Sequence, residues 1–185
     1  MSANVIFGIL LAGILSGNYA IVRFLGTGAV ITNRRPVGQS LVLGLGTTVV
    51  MVLCALITWP INTYLLNAAD YLQTMVFMAV VIGVVELLHV LFHKVLDNLC
   101  HADYVRFGIN GAVLGMCIEN TSLGFGESLV TALAVGIGFT VVLLLYSRLR
   151  EAVWDEDAVP APFRGLPISL LTAGTIALAL LALKF

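Results

Sequence analysis

Val22-Arg23-Phe24-Leu25-Gly26-Thr27-Gly28-Ala29-Val30 returns 83 positions later as Val105-Arg106-Phe107-Gly108-Ile109-Asn110-Gly111-Ala112-Val113, identical at six of nine places. A second likeness follows each copy: Ser40-Leu41-Val42 with Thr48-Val49-Val50, against Ser128-Leu129-Val130 with Thr140-Val141-Val142. The 185-residue chain therefore reads as one domain built from two related halves, about 1–93 and 94–185.

Outside these copies the sequence is a series of apolar runs. Hydrophobic residues make up 60%, charged residues only 10%, and the mean hydropathy is +1.06, which places the chain in lipid rather than water. A bilayer span needs roughly 20 apolar residues. Residues 37–59, 71–92 and 128–146 meet that need, and 166–183 makes a slightly short further span. The first and fourth, 5–22 and 107–118, are shortened or followed by glycine and polar residues. The expected fold is all-α and integral to the membrane, with six transmembrane helices of which the first and fourth are broken. The opening apolar run lacks a basic start and continues through Ile21, so it is read as the first helix, not a signal peptide.

Charge sets the expected orientation. Arg23, Arg34 and Arg35 follow span one; Lys94 and Arg106 follow span three; Arg148, Arg150 and Arg164 follow span five. The even-numbered connections hold no Lys or Arg. By the positive-inside rule both termini lie outside, on the periplasmic face in a Gram-negative cell. Three spans per unit then make the second half enter the membrane from the opposite side, an inverted repeat. In such folds the broken helices meet near the bilayer midplane, where irregular backbone is tolerated against protein or a cavity. Residues 24–33 and 107–120 are the expected breaks, with Thr27 and Asn110 as interposed polar residues and Asn18 as a further buried amide. Plain helix packing through Gly13-x-x-x-Gly17 and Gly111-x-x-x-Gly115 is the simpler alternative.

Several function classes drop out. With a net charge of −1 and no basic patch, nucleic acid is not a partner. Cys54, Cys100 and Cys117 show no C-x-x-C spacing and read as small buried hydrophobes. No P-loop, dinucleotide fingerprint or nucleophile–base arrangement is present, so the chain alone is not a complete enzyme.

The residues resemble a known family, the Rnf/Nqr membrane subunits, in particular the A-type member of Rnf complexes and the E-type member of the sodium-translocating NADH:quinone oxidoreductase. The resemblance runs nearly the full length. It is carried by Asn18-Tyr19-Ala20-Ile21-Val22-Arg23-Phe24-Leu25-Gly26, by Gly44-Leu45-Gly46-Thr47-Thr48-Val49-Val50-Met51, and most specifically by Val159-Pro160-Ala161-Pro162-Phe163-Arg164-Gly165 before Ile168-Ser169-Leu170-Leu171-Thr172-Ala173-Gly174. It implies a subunit of a bacterial inner-membrane, Na+- or H+-translocating electron-transport complex, working beside a homologous subunit of inverted topology and other complex subunits.

One departure matters. The family carries a cysteine in each broken helix, and two facing subunits thereby share a [2Fe-2S] cluster; here those positions are Gly28 and Gly111. Cluster iron takes thiolate or imidazole ligands, which glycine lacks. The cluster is therefore expected to be absent or differently ligated, and flavin to belong to partners.

Glu86, His89 and His93 fall on one face of span three. Ionisable groups within the membrane are functional candidates, and Glu86 with His89 forms the candidate ion path; pairing of Glu86 with a neighbouring subunit is the alternative. The E-x-x-H spacing lacks the second copy that a carboxylate-bridged metal site requires. Glu119, Asn120 and Glu127 are expected to be solvated at the outer side. Rival readings are a small inverted-repeat transporter or channel, and a cofactor-free structural subunit.

Overall fold

The computed structural model describes residues 3–20, 22–32, 36–66, 70–100, 108–153 and 160–182. Arg34, Arg35, His101, residues 105–107, most of the 151–157 acidic segment and Lys184 lie outside the described residues, as do the side chains of His93, Lys94 and Cys100.

Every described element is helical. They are α1 (Ala3–Leu11), α2 (Thr27–Thr32), α3 (Val37–Ile61), α4 (Gln73–Cys100), α5 (Gly111–Glu119), α6 (Phe125–Val153) and α7 (Leu166–Ala182), with π-helical turns at Ala12–Ser16 and Asn62–Leu66. Helices satisfy their own backbone groups, which lipid cannot do. Three of them, Val37–Leu66, Gln73–Leu91 and Phe125–Glu151, are long and apolar enough to cross a membrane, and Leu166–Ala179 is a shorter apolar helix.

The expected breaks are placed differently by the structure. In the first half, the described residues 17–20 and 22–26 are irregular, while 27–32, within the expected break, are helix. A π-helical turn ends α1, a form of helix end often found at functional breaks. Phe24 and Gly26 then take left-handed backbone, with φ of 55° and 77°, a geometry natural to glycine and costly for phenylalanine. In the second half, most of 107–120 is regular helix, capped by Asn110 and closed by a 3-10 turn at Asn120–Ser122.

The centre of the molecule is the crossing of α3 and α6, its most extensive contact. Two threonines and two glycines interlock there. A Cβ on Gly44 would lie 2.6 Å from Thr140 Cγ2, and one on Gly136 would lie 2.6 Å from Thr48 Cγ2. The pairing runs antiparallel, and Ser40 and Ser147 extend it with oxygens 2.8 Å apart. Small residues let the helix backbones approach closely where lipid supplies no hydrophobic drive. Each buried hydroxyl also donates to its own helix one turn back: Thr47 to Leu43 at 2.9 Å, Thr48 to Gly44 at 2.9 Å, Thr140 to Gly136 at 2.9 Å and Ser147 to Leu143 at 2.9 Å. No buried polar atom among them is left to face hydrocarbon.

Around this crossing, α4 and α5 pack on α3, while α1 and its π-helical turn pack on α6. Phe77, Met51, Met116, Phe139, Leu143 and Tyr146 are fully buried between the layers. One end of the bundle is closed by Trp59, whose ring nitrogen donates to Leu123 O at 3.0 Å and whose ring meets Phe125 edge-on at 5.1 Å.

Candidate functional site: the paired helix breaks

The two duplicated segments touch. Gly26 sits so close to the start of α5 that a Cβ there would lie 3.0 Å from Ala112 Cβ, 3.2 Å from Asn110 Oδ1 and 3.3 Å from Ala112 N. With positive φ as well, this is a position only glycine fits. A Cβ on Gly111 would in turn lie 3.4 Å from Gly26 N.

The three polar residues singled out in the sequence each have a defined place here. Asn18 is fully buried. Its Nδ2 donates to Gly138 O at 2.9 Å and Ile14 O at 3.1 Å, and its Oδ1 accepts from Ala20 N at 3.0 Å. One side chain thus ties the first break to α6. Asn110 caps α5, its Oδ1 accepting from Ala112 N at 2.9 Å and Val113 N at 3.0 Å, which satisfies donors a helix start would otherwise leave open. Thr27 opens α2, and its hydroxyl donates to Phe24 O at 3.2 Å.

Of the glycine-packing alternatives, Gly13 does pack on α6, with a Cβ there 2.7 Å from Ala134 Cβ. Gly17 faces only its own chain at Ala12 O, and Gly115 faces Leu25.

A charge pair not foreseen from the sequence joins the halves. The Arg23 guanidinium donates through both terminal nitrogens to the two carboxylate oxygens of Glu119, one bond measuring 2.8 Å. The Tyr19 hydroxyl donates to the same carboxylate, and the guanidinium carbon lies 4.7 Å from the Tyr19 ring centre. Bidentate arginine–carboxylate pairing is the strongest form of such a contact. Arg23 and Glu119 were expected on opposite membrane faces, which a hydrogen-bonded pair cannot occupy. The reason is local: in the irregular turn Val22 N donates to Asn18 O at 2.9 Å and Leu25 N to Tyr19 O at 2.8 Å, so the chain folds back and directs Arg23 toward the end of α5. Asn120, expected to be solvated, is instead buried and donates to Ser128 O at 3.1 Å.

Gly28 and Gly111 are both exposed, and a Cβ on Gly28 would meet nothing within 4 Å. The two positions that the resemblance assigns to thiolates therefore have room for a side chain and none present. Cys54 and Cys117 are buried elsewhere, on α3 and α5, as free thiols. No group of three or more Cys, His, Asp and Glu side chains is gathered among the described residues. The residues present do not fit a [2Fe-2S] cluster held in the manner the resemblance implies.

Glu86 and His89 are not brought into the breaks. Glu86 is exposed on the outer face of α4 and His89 is partly covered.

Long apolar helices, interhelical small residues and hydroxyls turned onto their own carbonyls together define a polytopic helical membrane protein. The family model described as "Rnf-Nqr subunit, membrane protein" matches residues 6–185, and the chain belongs to that family. It is 36% identical over 182 residues to the A-type subunit of the ion-translocating oxidoreductase complex of Syntrophotalea carbinolica, covering 92% of each chain. The protein of the same description from Escherichia coli O1:K1 is 35% identical over 173 residues, covering 90% of this chain and 89% of its own. That of Serratia proteamaculans is 34% identical over 177 residues, covering 90% and 89%.

Proposed function

We propose that this chain is a membrane subunit of an ion-translocating electron-transfer complex, set in a bacterial inner membrane beside a homologous subunit of inverted orientation. The observation that carries the reading is the match to A-type subunits of ion-translocating oxidoreductase complexes along nearly the whole of both chains. The contact of the two duplicated segments at Gly26 and Ala112 supports a six-span inverted repeat whose breaks meet inside the bilayer, as does the reciprocal Gly44–Thr140 and Gly136–Thr48 packing. Both termini then lie on the periplasmic side, a reading that Arg148, Arg150 and Arg164 support beyond span five.

In this chain the break surface at Gly28 and Gly111 supplies backbone and close approach, not iron ligands. Electrons reach the complex's other carriers without a cluster bound by these two positions. The ion path runs along an outer surface of the chain, at Glu86 and His89, and is completed by a neighbour.

The test is purification of the tagged full-length chain from its native membrane, with identification of the proteins that accompany it and electron paramagnetic resonance of the reduced complex. Recovery with flavin- and iron–sulfur-bearing subunits and a homologous membrane subunit is expected. A chain recovered alone, transporting an ion or solute without redox partners, overturns the reading. So does a cluster bound at Gly28 and Gly111.

A further inference from the structure

α4 stands apart from the other long helices. Only 22% of its apolar span is buried, against 50% for Val37–Leu66 and 56% for Phe125–Glu151. Its exposed residues recur with helical spacing as Met75, Met78 and Ala79, Ile82 and Gly83, Glu86 and Leu87, Val90 and Leu91, a continuous stripe along one side.

In the middle of that stripe sits a carboxylate. Glu86 lies within the apolar part of α4, eight residues or about 12 Å before Lys94 at 1.5 Å per residue. Its side chain is too short to reach the interface as a lysine or arginine would. Among the described residues no hydrogen bond or ion pair reaches it, and around it lie the exposed hydrophobics Ile82, Leu87 and Val90 and, one turn on, the partly covered His89. An intramembrane carboxylate facing lipid is expensive, and such groups ordinarily face protein or water. One and two turns away, Gly83 and Ala79 leave a shallow place on the same stripe, with nothing within 4 Å of a Cβ on Gly83, where a second helix could approach closely.

We infer that the α4 stripe around Glu86 is a docking surface for a transmembrane helix of a different protein of the complex, one that presents a basic or hydrogen-bond-donating side chain to Glu86. A second copy of this chain fits poorly. A twofold axis along the membrane normal would set α4 parallel to its copy, with Glu86 against Glu86, and like charges at close range repel. The inference rests on the reading of the chain as part of a complex; it names the surface through which the chain assembles and where the Glu86 path is closed.

Leu87 and Val90 are replaced one at a time by a photo-crosslinking amino acid in the full-length chain, and the complex is irradiated in its native membrane. An adduct with another subunit's membrane helix is expected from both positions, with Leu178 on α7 as a comparison site. If redox subunits still co-purify but Leu87 and Val90 crosslink only to lipid or to a second copy, the inference falls and the complex reading stands. As a second measurement, Glu86→Gln should keep most of the partner while Glu86→Leu should lower its recovery by between about 3-fold and 30-fold, the range expected for one interhelical polar contact of about 0.6–2 kcal/mol. Equal recovery from both variants and the unsubstituted chain also overturns it.

Discussion

The hydroxyls of Thr48 and Thr140 lie 3.3 Å apart at the crossing of α3 and α6, and each threonine fills the notch left by a glycine one turn away on the opposite helix. A Gly-x-x-x-Thr segment on one helix therefore serves as both knob and hole for its antiparallel counterpart, Gly44 with Thr48 and Gly136 with Thr140.

That interlock tolerates little added volume. Gly136→Val forces its Cβ to within 2.6 Å of Thr48 Cγ2 and 2.9 Å of Thr48 Cα, and the second of these is backbone that cannot turn aside. A loss of about 1–3 kcal/mol is expected, measured as a lowered unfolding midpoint of the detergent-solubilised protein. Thr48→Ser, which keeps the hydroxyl, should cost less.

Asn18→Leu removes three hydrogen bonds from a fully buried site and leaves Gly138 O and Ala20 N without their partners. The expected loss is about 2–5 kcal/mol, visible as reduced yield and a lower melting temperature. Asn110→Ala opens only the α5 cap and should cost about 1 kcal/mol.

Gly28 and Gly111 predict the opposite behaviour. Gly28 lies within α2 with open space at its Cβ position, so Gly28→Ala should be neutral or stabilising by up to about 1 kcal/mol. Gly111→Ala meets only Gly26 N at 3.4 Å and should change the melting temperature little. Strong destabilisation by Gly28→Ala would mean that the fold, rather than the partner surface, demands glycine there.

Arg23 and Glu119 have side chains 45% and 41% exposed, so their coupling is modest: a double-mutant cycle with Arg23→Gln and Glu119→Gln should give about 0.5–1 kcal/mol. Geometry gives the sharper test. Because the two are hydrogen-bonded, Arg23→Cys and Glu119→Cys variants should react with a membrane-impermeant maleimide from the same side. Labelling from opposite sides would contradict the pairing.

The long helices were legible because a 20-residue apolar run has few other uses, and the duplicated string around Gly28 and Gly111 pointed to segments that do meet. The edges of the breaks were not. Composition could not reveal that Gly17 and Asn18 end the first helix while Thr27 restarts it, since each of these residue types also occurs inside membrane helices. Nor can residue counting place Arg23: position along the chain assigns its charge to the first loop, whereas the fold-back around it directs it to Glu119, 96 residues away. The one readable signal for the central crossing was the shared Gly-x-x-x-Thr spacing in both long helices, which the longer repeat concealed.

Phe24 holds a left-handed backbone at φ 55° with its side chain 62% exposed, whereas Asn110 rests in ordinary extended geometry at φ −132° with its acceptor doubly satisfied. A bulky residue in that region costs of order 1–3 kcal/mol. The two breaks are therefore loaded unequally: the first holds a bulky residue in costly backbone, the second a residue at rest.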